Sequence, residues 1–272
     1  MSLTVNTNIA SLTAQRNLVG TGRSLQTSLA RLSSGLRINS AKDDAAGLAL
    51  SDKMTAQIRG LNQAVRNAND GISMAQTAEG AMQETTNLLQ RMRELTVQAG
   101  NGNYGAGELA SMQTEFSQLQ DEIGRIAVTT KFNGSVLLSG GVAGTAFQVG
   151  ADFGGDYQVS LTIGDMTKNG LNISTITIAA SQAAAATAID AALSAVDTAR
   201  GKLGAFQSRL ESTVSNLMNI SENVSAARSR IMDADFASET ANLTRAQILQ
   251  QAGVAMLSQA NAIPQAALAL LK

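Results

Sequence analysis

The stretch IDAALSAVDTARGKLGAFQSRLESTVSNLMNISENVSAARSRIMDA, residues 189–234, decides the fold class. Apolar side chains recur in it at every seventh position: Ile189, Val196, Leu203, Leu210, Leu217, Val224 and Ile231. A second series lies three residues on, with one polar member: Ala192, Ala199, Phe206, Thr213, Ile220, Ala227 and Ala234. Heptads sustained over this length predict a coiled-coil helix. At about 1.5 Å per residue, the helix would be roughly 70 Å long, too long for an ordinary compact domain.

The N-terminal half of the chain carries matching helical patterns. Apolar positions separated by threes and fours form three runs: Ile58, Leu61, Val65, Ala68, Ile72, Ala75 and Met82; then Leu88, Met92, Leu95 and Ala99; then Leu109, Met112, Phe116, Leu119, Ile123 and Ile126. The glycine-rich stretch 100–107 separates the last two runs and predicts the turn of a helical hairpin. We expect these helices to pack beside the long C-terminal one, as an antiparallel helical bundle in a rod.

The middle of the chain has a different, two-residue period. Tyr157, Val159, Leu161 and Ile163 alternate with polar side chains, which is typical of a half-buried strand. With Phe147 and Val149 before them, they predict a small β-hairpin region near residues 146–164. A further strand is predicted around residues 172–178. The Asn-Gly pair at residues 133–134 indicates a tight turn that ends the N-terminal helical part.

Both termini are apolar and uncharged. Residues 1–15 and 246–271 contain no Asp, Glu, Lys or Arg. The apolar side chains that we expect to form an assembly core are Val5, Ile9 and Leu12 near the start, and Leu249, Met256, Ile263 and Leu270 near the end. Such helices lack the charged outer face of a free helix in water, so they require neighbours on more than one side. We therefore expect them to become ordered by packing against other copies, offsetting the entropy of ordering.

Composition excludes several function classes. The chain has no Cys and no His, so it lacks the usual metal ligands and the commonest general base. The formal net charge is −1, which favours neither nucleic acid nor an anionic membrane as a partner. We see neither a cleavable signal peptide nor a transmembrane run. We expect no enzyme activity, no catalytic residues, no metal and no cofactor.

Three weaker motifs have a plain structural interpretation. Residues 100–105 satisfy GxGxxG but follow a helical run, so a flexible turn is favoured over a nucleotide site. Asp152 and Asp156 flank two glycines without the later Glu of a calcium loop, which favours a hairpin turn. The carboxylates at residues 43–44, 233 and 235 are interpreted as helix caps or interchain ion pairs rather than as an acid/base pair.

Several long segments resemble bacterial flagellins. At the N-terminal end these are residues 1–12 (MSLTVNTNIASL) and 32–48 (LSSGLRINSAKDDAAGL). At the C-terminal end they are residues 227–235 (ARSRIMDAD), 245–253 (RAQILQQAG) and 259–271, which include the lone proline. The matches cover almost the whole chain and occur in the family's order.

This resemblance implies a short flagellin, a subunit that polymerises into the flagellar filament for swimming motility. Residues 1–43 with 229–272 would form the D0 filament core, and residues 44–228 a D1 helical rod, with no outer D2 or D3 domain. The resemblance also implies export, unfolded, through the flagellar type III system to an extracellular flagellum. The implied partners are other copies of the chain, the cap and hook–filament junction proteins, an export chaperone and host flagellin receptors.

The family also implies two receptor sites. The animal Toll-like receptor patch corresponds to Leu89, Gln90, Arg91, Leu95 and Glu115. The plant receptor epitope lies within residues 30–51 and corresponds to Arg31, Leu32, Ser33, Gly35, Arg37, Ile38, Asn39, Ser40, Ala41, Lys42, Asp43, Asp44, Ala45, Ala46, Gly47 and Leu48.

Two other functions stay open at this point. A hook–filament junction protein, or a related adaptor, would share the terminal helices, although the close matches at both ends favour flagellin itself. A secreted enzyme on a helical scaffold would instead need a shaped pocket with strongly perturbed carboxylates.

Overall fold

Five long helices carry the fold. The computed structural model describes the backbone of residues 7–269 and the side chains of residues 7–262. The helices are α1 (Ile9–Ser34), α2 (Ala45–Ala99), α3 (Ala106–Thr129), α4 (Gln182–Met232) and α5 (Phe236–Ala269). Four short strands lie between α3 and α4: β1 (Lys131–Phe132), β2 (Ser135–Val136), β3 (Thr145–Gln148) and β4 (Gln158–Leu161). The prediction of a mainly α protein with a small β-hairpin region is confirmed.

The chain divides into two compact units. The terminal unit combines Met1–Ala56 with Asn223–Lys272, and the central unit is Gln57–Glu222. The helices α2 and α4 contribute to both. The boundaries expected for D0 and D1, near residues 43 and 229, lie in the terminal unit, and the assignment of these domains remains a prediction.

In the central unit, α2 and α4 run antiparallel. Three cross-helix contacts show this direction. The Arg93 guanidinium donates to the Asp190 carboxylate at 2.7 Å, and Gln207 Nε2 donates to Glu79 Oε2 at 2.9 Å. Ser221 Oγ donates to Asn62 Oδ1 at 3.3 Å. Residue numbers therefore fall along α2 as they rise along α4.

The heptad series of α4 faces the core of the central unit. Ile189, Val196, Leu203, Leu210 and Leu217 are all buried. Facing them are side chains of α2 and α3, including Met82, Leu89, Met92, Phe116 and Ile123. The prediction was wrong at its last position, because α4 ends at Met232 and Ala234 lies in the connection to α5.

The N-terminal helices are longer than the sequence pattern indicated. The first two apolar runs belong to one continuous helix, α2, of 55 residues. The glycine-rich stretch forms the predicted turn between α2 and α3. Buried methionines at 74, 82 and 92 help to fill the core.

Two antiparallel hairpins follow α3. The first pairs β1 with β2 around Asn133 and Gly134, whose φ angles of 47° and 83° form the predicted tight turn. The second pairs β3 with β4, with Phe147 opposite Val159. The strand expected at residues 172–178 is absent. There the described chain forms turns, with Asn172 at φ 56°, and inserts Leu171, Ile173 and Ile178 into the core.

The segment 171–178 is held by two glutamines of α3. The buried Gln120 side chain donates through Nε2 to the carbonyls of Ile173 at 2.5 Å and Ile176 at 3.1 Å. The side-chain oxygen of Gln113, Oε1, accepts the Ile178 amide at 2.7 Å. These side-chain hydrogen bonds replace the backbone bonds that a strand would make to a neighbouring strand. The apolar alternation alone therefore could not predict whether residues 171–178 form a strand or turns.

In the terminal unit, α1 and α5 also run antiparallel. Asn8 Nδ2 donates to the Ala260 carbonyl at 2.8 Å near one end of the pair. Near the other end, Arg31 lies 3.7 Å from Glu239. None of the described helices combines the length and the apolar character needed to cross a membrane.

Candidate assembly surface on the terminal helices

The terminal unit has a thin core. Among its described residues, the buried apolar side chains are Ile38, Ala246 and Ala260. Small or polar groups fill the other buried positions, including Ser11 and Ser28 on α1. The central unit, by contrast, buries Phe, Leu, Ile and Met side chains along its whole bundle. The large apolar side chains of the terminal helices must therefore lie mostly at the surface.

A set of large apolar side chains on α1 and α5 is exposed to solvent. They are Ile9, Leu12, Val19, Leu29, Phe236, Ile248, Leu249, Val254 and Met256, and we name this set the assembly surface. Met256 is 64% exposed and Ile9 68%. Large exposed apolar patches are typical of interaction sites, so this set is the candidate for contacts with another molecule.

The structure describes part of the predicted filament-core set. Ile9, Leu12, Leu249 and Met256 all belong to the assembly surface. Val5 and Leu270 lie outside the described residues. Ile263 lies in α5, but its side chain is also outside the described part.

Sequence reasoning missed several members of this surface. Val19, Ile248 and Val254 are each more than half exposed but lie outside the apolar stripes that the pattern followed. A heptad count selects one face of a helix, whereas neighbouring residues such as Ile248 and Leu249 lie on different faces of α5. The absence of charge from residues 246–271 was the signal that could have found the residues of α5.

Close packing and local caps hold α1 against α5. A Cβ built on Gly253 would lie 3.1 Å from Leu18 Cγ, so the helices approach closely where glycine removes the side chain. The Asn8 side chain caps α1 by accepting the Ser11 amide at 3.0 Å, and it also contacts α5. These contacts hold the two helices side by side.

A basic groove of about 820 Å³ lies between α1 and α5. Its charged lining residues are Arg16, Arg23, Arg31, Arg245 and Glu239. Arg31 and Glu239 form the ion pair there, and the Arg31 Nε–H is buried without a hydrogen-bond partner. The groove carries more positive than negative charge, although the chain as a whole is close to neutral.

The chain crosses between α1 and α2 through a hydrogen-bonded loop. Gly35 ends α1 with φ 72°, in the left-handed region that favours glycine. Arg37 then donates its amide to the Met232 carbonyl at 2.6 Å. Ile38 is buried behind it. The predicted plant epitope therefore spans the end of α1, this loop and the start of α2.

The acidic residues near this loop mostly serve local structure. Asp44 accepts the Gly47 amide at 2.8 Å, and Asp235 accepts the Ala237 amide at 2.9 Å, so both cap helices as predicted. Hydrogen bonds to Asp43 from the Asn39 amide, and from the hydroxyl and amide of Ser40, lower the pKa of its carboxyl.

The predicted Toll-like receptor patch divides into exposed and buried members. Arg91 donates to Glu115 Oε1 at 2.8 Å and to Glu94 Oε2 at 3.0 Å, which links α2 to α3 on the surface. These bonds raise the pKa of Arg91, with Glu94 the larger cause. Gln90 is exposed beside them. Leu89 and Leu95 are fully buried and pack in the core beneath them, and the receptor patch itself stays a prediction.

The weaker motifs have structural roles. Residues 100–105 follow a helix rather than a strand, so they lack the context of a dinucleotide site. Asp152 and Asp156 lie in the hairpin turn between β3 and β4. Within the described residues, no group of three or more His, Cys, Asp or Glu side chains is arranged to hold a metal ion.

Comparison with known proteins identifies the family. The family model of the bacterial flagellin N-terminal helical region matches residues 5–143, and that of the C-terminal helical region matches residues 186–271. The chain belongs to the bacterial flagellin family. Flagellins are structural proteins, and the chain is accordingly a subunit of the extracellular flagellar filament.

Individual relatives agree with this assignment. The flagellin chain is 39% identical to flagellin B of Vibrio cholerae serotype O1 and 40% identical to flagellin D of Vibrio anguillarum. Both alignments run over 376 positions and cover 100% of each partner, so the relatives contain residues that this 272-residue flagellin lacks.

One solved structure shares the fold of this flagellin. It is reported as a flagellar hook-associated protein from Vibrio parahaemolyticus, and it is 14% identical with a TM-score of 0.60. The match covers 70% of this flagellin and 100% of that chain. At this identity the comparison concerns fold alone.

Proposed function

We propose that the assembly surface on α1 and α5 drives this flagellin into the filament by packing against the same helices of neighbouring copies. The observation that carries the proposal is the contrast within the terminal unit, which buries Ile38, Ala246 and Ala260 but exposes a whole row of large apolar side chains. Burial of such groups is favourable by about 25 cal/mol per Å². The terminal helices therefore gain most of their apolar burial from other copies.

The polar groups between these side chains suit the same role. The polar side chains of α5 beyond Arg245 are all Ser, Asn or Gln. Such groups can hydrogen-bond to another chain without the large cost of desolvating a charge. Contacts between different faces of identical copies, when they do not close into a ring, generate an open helical filament. D0 of the family then corresponds to the terminal helices.

The test is polymerisation of the purified full chain, followed by sedimentation and electron microscopy with seeds or added salt. We expect long filaments from the parent and none from a chain lacking residues 247–272. The double variant Leu249→Gln, Met256→Gln should stay in the supernatant at concentrations at which the parent sediments.

Val128→Gln is the matched control, because Val128 is also exposed but lies on α3 of the central unit. It should sediment like the parent. A parent chain that stays monomeric, with termini resistant to protease, would overturn the proposal.

We infer that this flagellin leaves the cell unfolded through the flagellar type III system, bound by an export chaperone before export. It then joins the filament between the hook–filament junction and cap proteins and serves swimming motility. The cysteine-free chain supports this route, because no disulfide can hinder unfolding. Secretion of the flagellin from cells that lack the flagellar export apparatus tests this route: we expect it to stop, and continued secretion would contradict the proposal.

We also infer that the exposed members of the Toll-like receptor patch, among them Arg91, contact the animal flagellin receptor. Arg91 and Glu115 support this by presenting a fixed pair of opposite charges across two helices. Monomer carrying Arg91→Ala should activate receptor-bearing cells less than the parent. Arg125→Ala is the control, since Arg125 forms a similar exposed pair with Glu122. Equal activation by the Arg91 variant would sink the idea.

The plant receptor is a separate proposal. A synthetic peptide of residues 30–51 should elicit a response in receptor-bearing plant cells, because the segment includes the exposed loop 39–43. A peptide of equal length covering residues 106–127 serves as control. No response to the first peptide would end this proposal.

A further inference from the structure

The tip of the second hairpin exposes an aromatic ring that does not pack in the core of the central unit. Phe153 is 92% exposed, the highest value among the large apolar side chains of residues 7–262. It stands between β3 and β4 in the segment Ala-Asp-Phe-Gly-Gly-Asp, residues 151–156. An isolated apolar side chain on a surface is common, so the ring alone decides nothing.

The tip is held in shape by its own hydrogen bonds. Gln148 Nε2 donates to the carbonyls of Gly150 at 3.1 Å and Asp152 at 2.5 Å. Val149 and Tyr157 close the segment through a bond from the Val149 amide at 2.8 Å. The ring therefore projects from an ordered loop, which lowers the entropy that a contact through Phe153 would cost.

A groove of about 530 Å³ lies elsewhere on the same unit. One wall is formed by the small side chains of Ala184, Ala188, Ala191 and Ala195, spaced by threes and fours along one face of α4. The other wall is the turn from Gly170 to Asn172. A row of methyl groups facing a glycine leaves an apolar recess in which a flat ring can lie.

The tip and the groove lie at different levels of the bundle. Ala151, beside the tip, packs with Leu61, Ala64 and Leu217. The groove is centred on α4 near Ala188. The 29 residues between Ala188 and Leu217 span about 40 Å of continuous helix at about 1.5 Å per residue. Phe153 cannot reach the groove of its own chain.

We propose that Phe153 of one copy inserts into the alanine-lined groove of the next copy in the filament. The two surfaces differ and are separated along the bundle, so the contact is heterologous and repeats from copy to copy without closing. The inference rests on the proposed polymerisation and names a second contact for it, in the central unit.

The size of the contact identifies its occupant as another copy. Burial of one aromatic ring removes about 150–250 Å² from water, whereas a stable interface between free proteins buries at least about 1,000 Å². Phe153 could not hold a separate partner by itself. It contributes where the terminal helices already bring copies of the chain together, which is the situation inside the filament.

Disulfide trapping tests the contact directly, since the parent chain has no cysteine. The double variant Phe153→Cys, Ala188→Cys is polymerised with parent seeds, oxidised and separated on a non-reducing gel. We expect a ladder of crosslinked multimers from filaments. The dilute monomer should give none, because sulfur atoms about 40 Å apart cannot bond within one chain. Each single variant, and the pair Phe153→Cys, Val128→Cys, should also give no ladder.

The outcomes separate this inference from the polymerisation itself. Filaments of the double variant without a ladder would overturn the Phe153 contact and leave the terminal-helix proposal standing. The double variant could fail to polymerise alone. It is then mixed with a tenfold excess of the single variant Phe153→Cys, and a crosslinked dimer is the expected product. A parent chain that forms no filaments would remove the proposed function and this contact together.

Loss of the contact should also weaken assembly. Phe153→Ser is expected to raise the concentration needed for seeded growth about tenfold, which corresponds to loss of one well-buried apolar side chain. Ala188→Leu, which fills the groove, should have a similar effect. Combining the two should add little, because both remove the same contact. Fully additive effects would contradict the insertion, and circular dichroism of the monomers checks that both variants fold.

Discussion

Two glycines differ in the space around them: a Cβ would overlap its neighbours at Gly170 but not at Gly80. A Cβ on Gly170 would lie 2.3 Å from the Asp165 carbonyl oxygen, a backbone atom that cannot easily move. Gly80, inside α2, has nothing within 4 Å of the same position. The same substitution must therefore act in opposite directions at these two sites.

We expect Gly170→Ala to lower the free energy of unfolding by about 1–3 kcal/mol through steric overlap. Gly80→Ala should raise it by up to about 1 kcal/mol, because alanine is the better helix former. Urea unfolding followed by circular dichroism measures both. A Gly170 variant as stable as the parent would show that the turn at residues 165–170 can relax.

Hydrogen bonds in the loop after α1 lower the pKa of the Asp43 carboxyl. The Asn39 amide is the largest cause of the lowered pKa of Asp43, followed by the Ser40 hydroxyl and amide. A lowered folded pKa means that the carboxylate stabilises the fold above the ordinary Asp range. That stability is lost as the pH falls through the folded pKa.

Ser40→Ala should therefore move the Asp43 pKa upwards, and the loop should lose its stabilisation at a higher pH. Carboxyl titration by NMR of the monomer measures the change. The pKa of Asp190, lowered by its hydrogen bond with Arg93, lies in the central unit and provides the internal reference. An unchanged Asp43 titration would mean that the backbone amides hold the charge without the hydroxyl.

At the scale of elements, Gln120 connects a helix to an irregular segment. Its side-chain amide donates hydrogen bonds to two backbone carbonyls, in a segment that does not pair with a strand. Buried carbonyls left without a donor are costly. The path of residues 171–178 thus depends on one side chain of α3.

Gln120→Leu keeps the size of this side chain but removes both donors. We expect a loss of about 1–3 kcal/mol in the free energy of unfolding, with faster amide exchange in residues 171–178. Gln118→Leu is the control, since Gln118 is exposed on the same helix. A loss no greater than that of the control would mean that water replaces the amide.

At the scale of the whole molecule, the two units differ in what stabilises them. The central unit has a continuous core of large apolar side chains, whereas the terminal unit buries few and displays many. A domain needs sufficient buried apolar surface to offset chain entropy. We infer that the central unit meets this need alone and that the terminal helices meet it through assembly.

A fragment of residues 57–222 should accordingly fold, unfold cooperatively and stay monomeric at concentrations at which the full chain forms filaments. Circular dichroism and analytical ultracentrifugation provide the measurement. A fragment that is unfolded in isolation would show that the core of the central unit depends on the terminal helices. A fragment that polymerises would move the main assembly contacts to the central unit.

The sequence alone determined the helical character of this flagellin, its hairpin region and its family. Heptads such as Ile189 to Leu217, and alternation such as Val159 to Ile163, are local periodicities that report which face of an element is buried. The long matches at both ends identified the family because they preserve residue order. The uncharged termini also predicted an assembly surface.

The tertiary structure alone decided which residues meet. It joined two apolar runs into α2, replaced an expected strand by turns held from Gln120, and buried Leu89 and Leu95 beneath the exposed Arg91. It also separated Phe153 from the alanine-lined groove along the bundle. These features depend on contacts between residues far apart in the chain, and a pattern read along the chain contains no information about which distant groups will supply a hydrogen bond or cover a side chain.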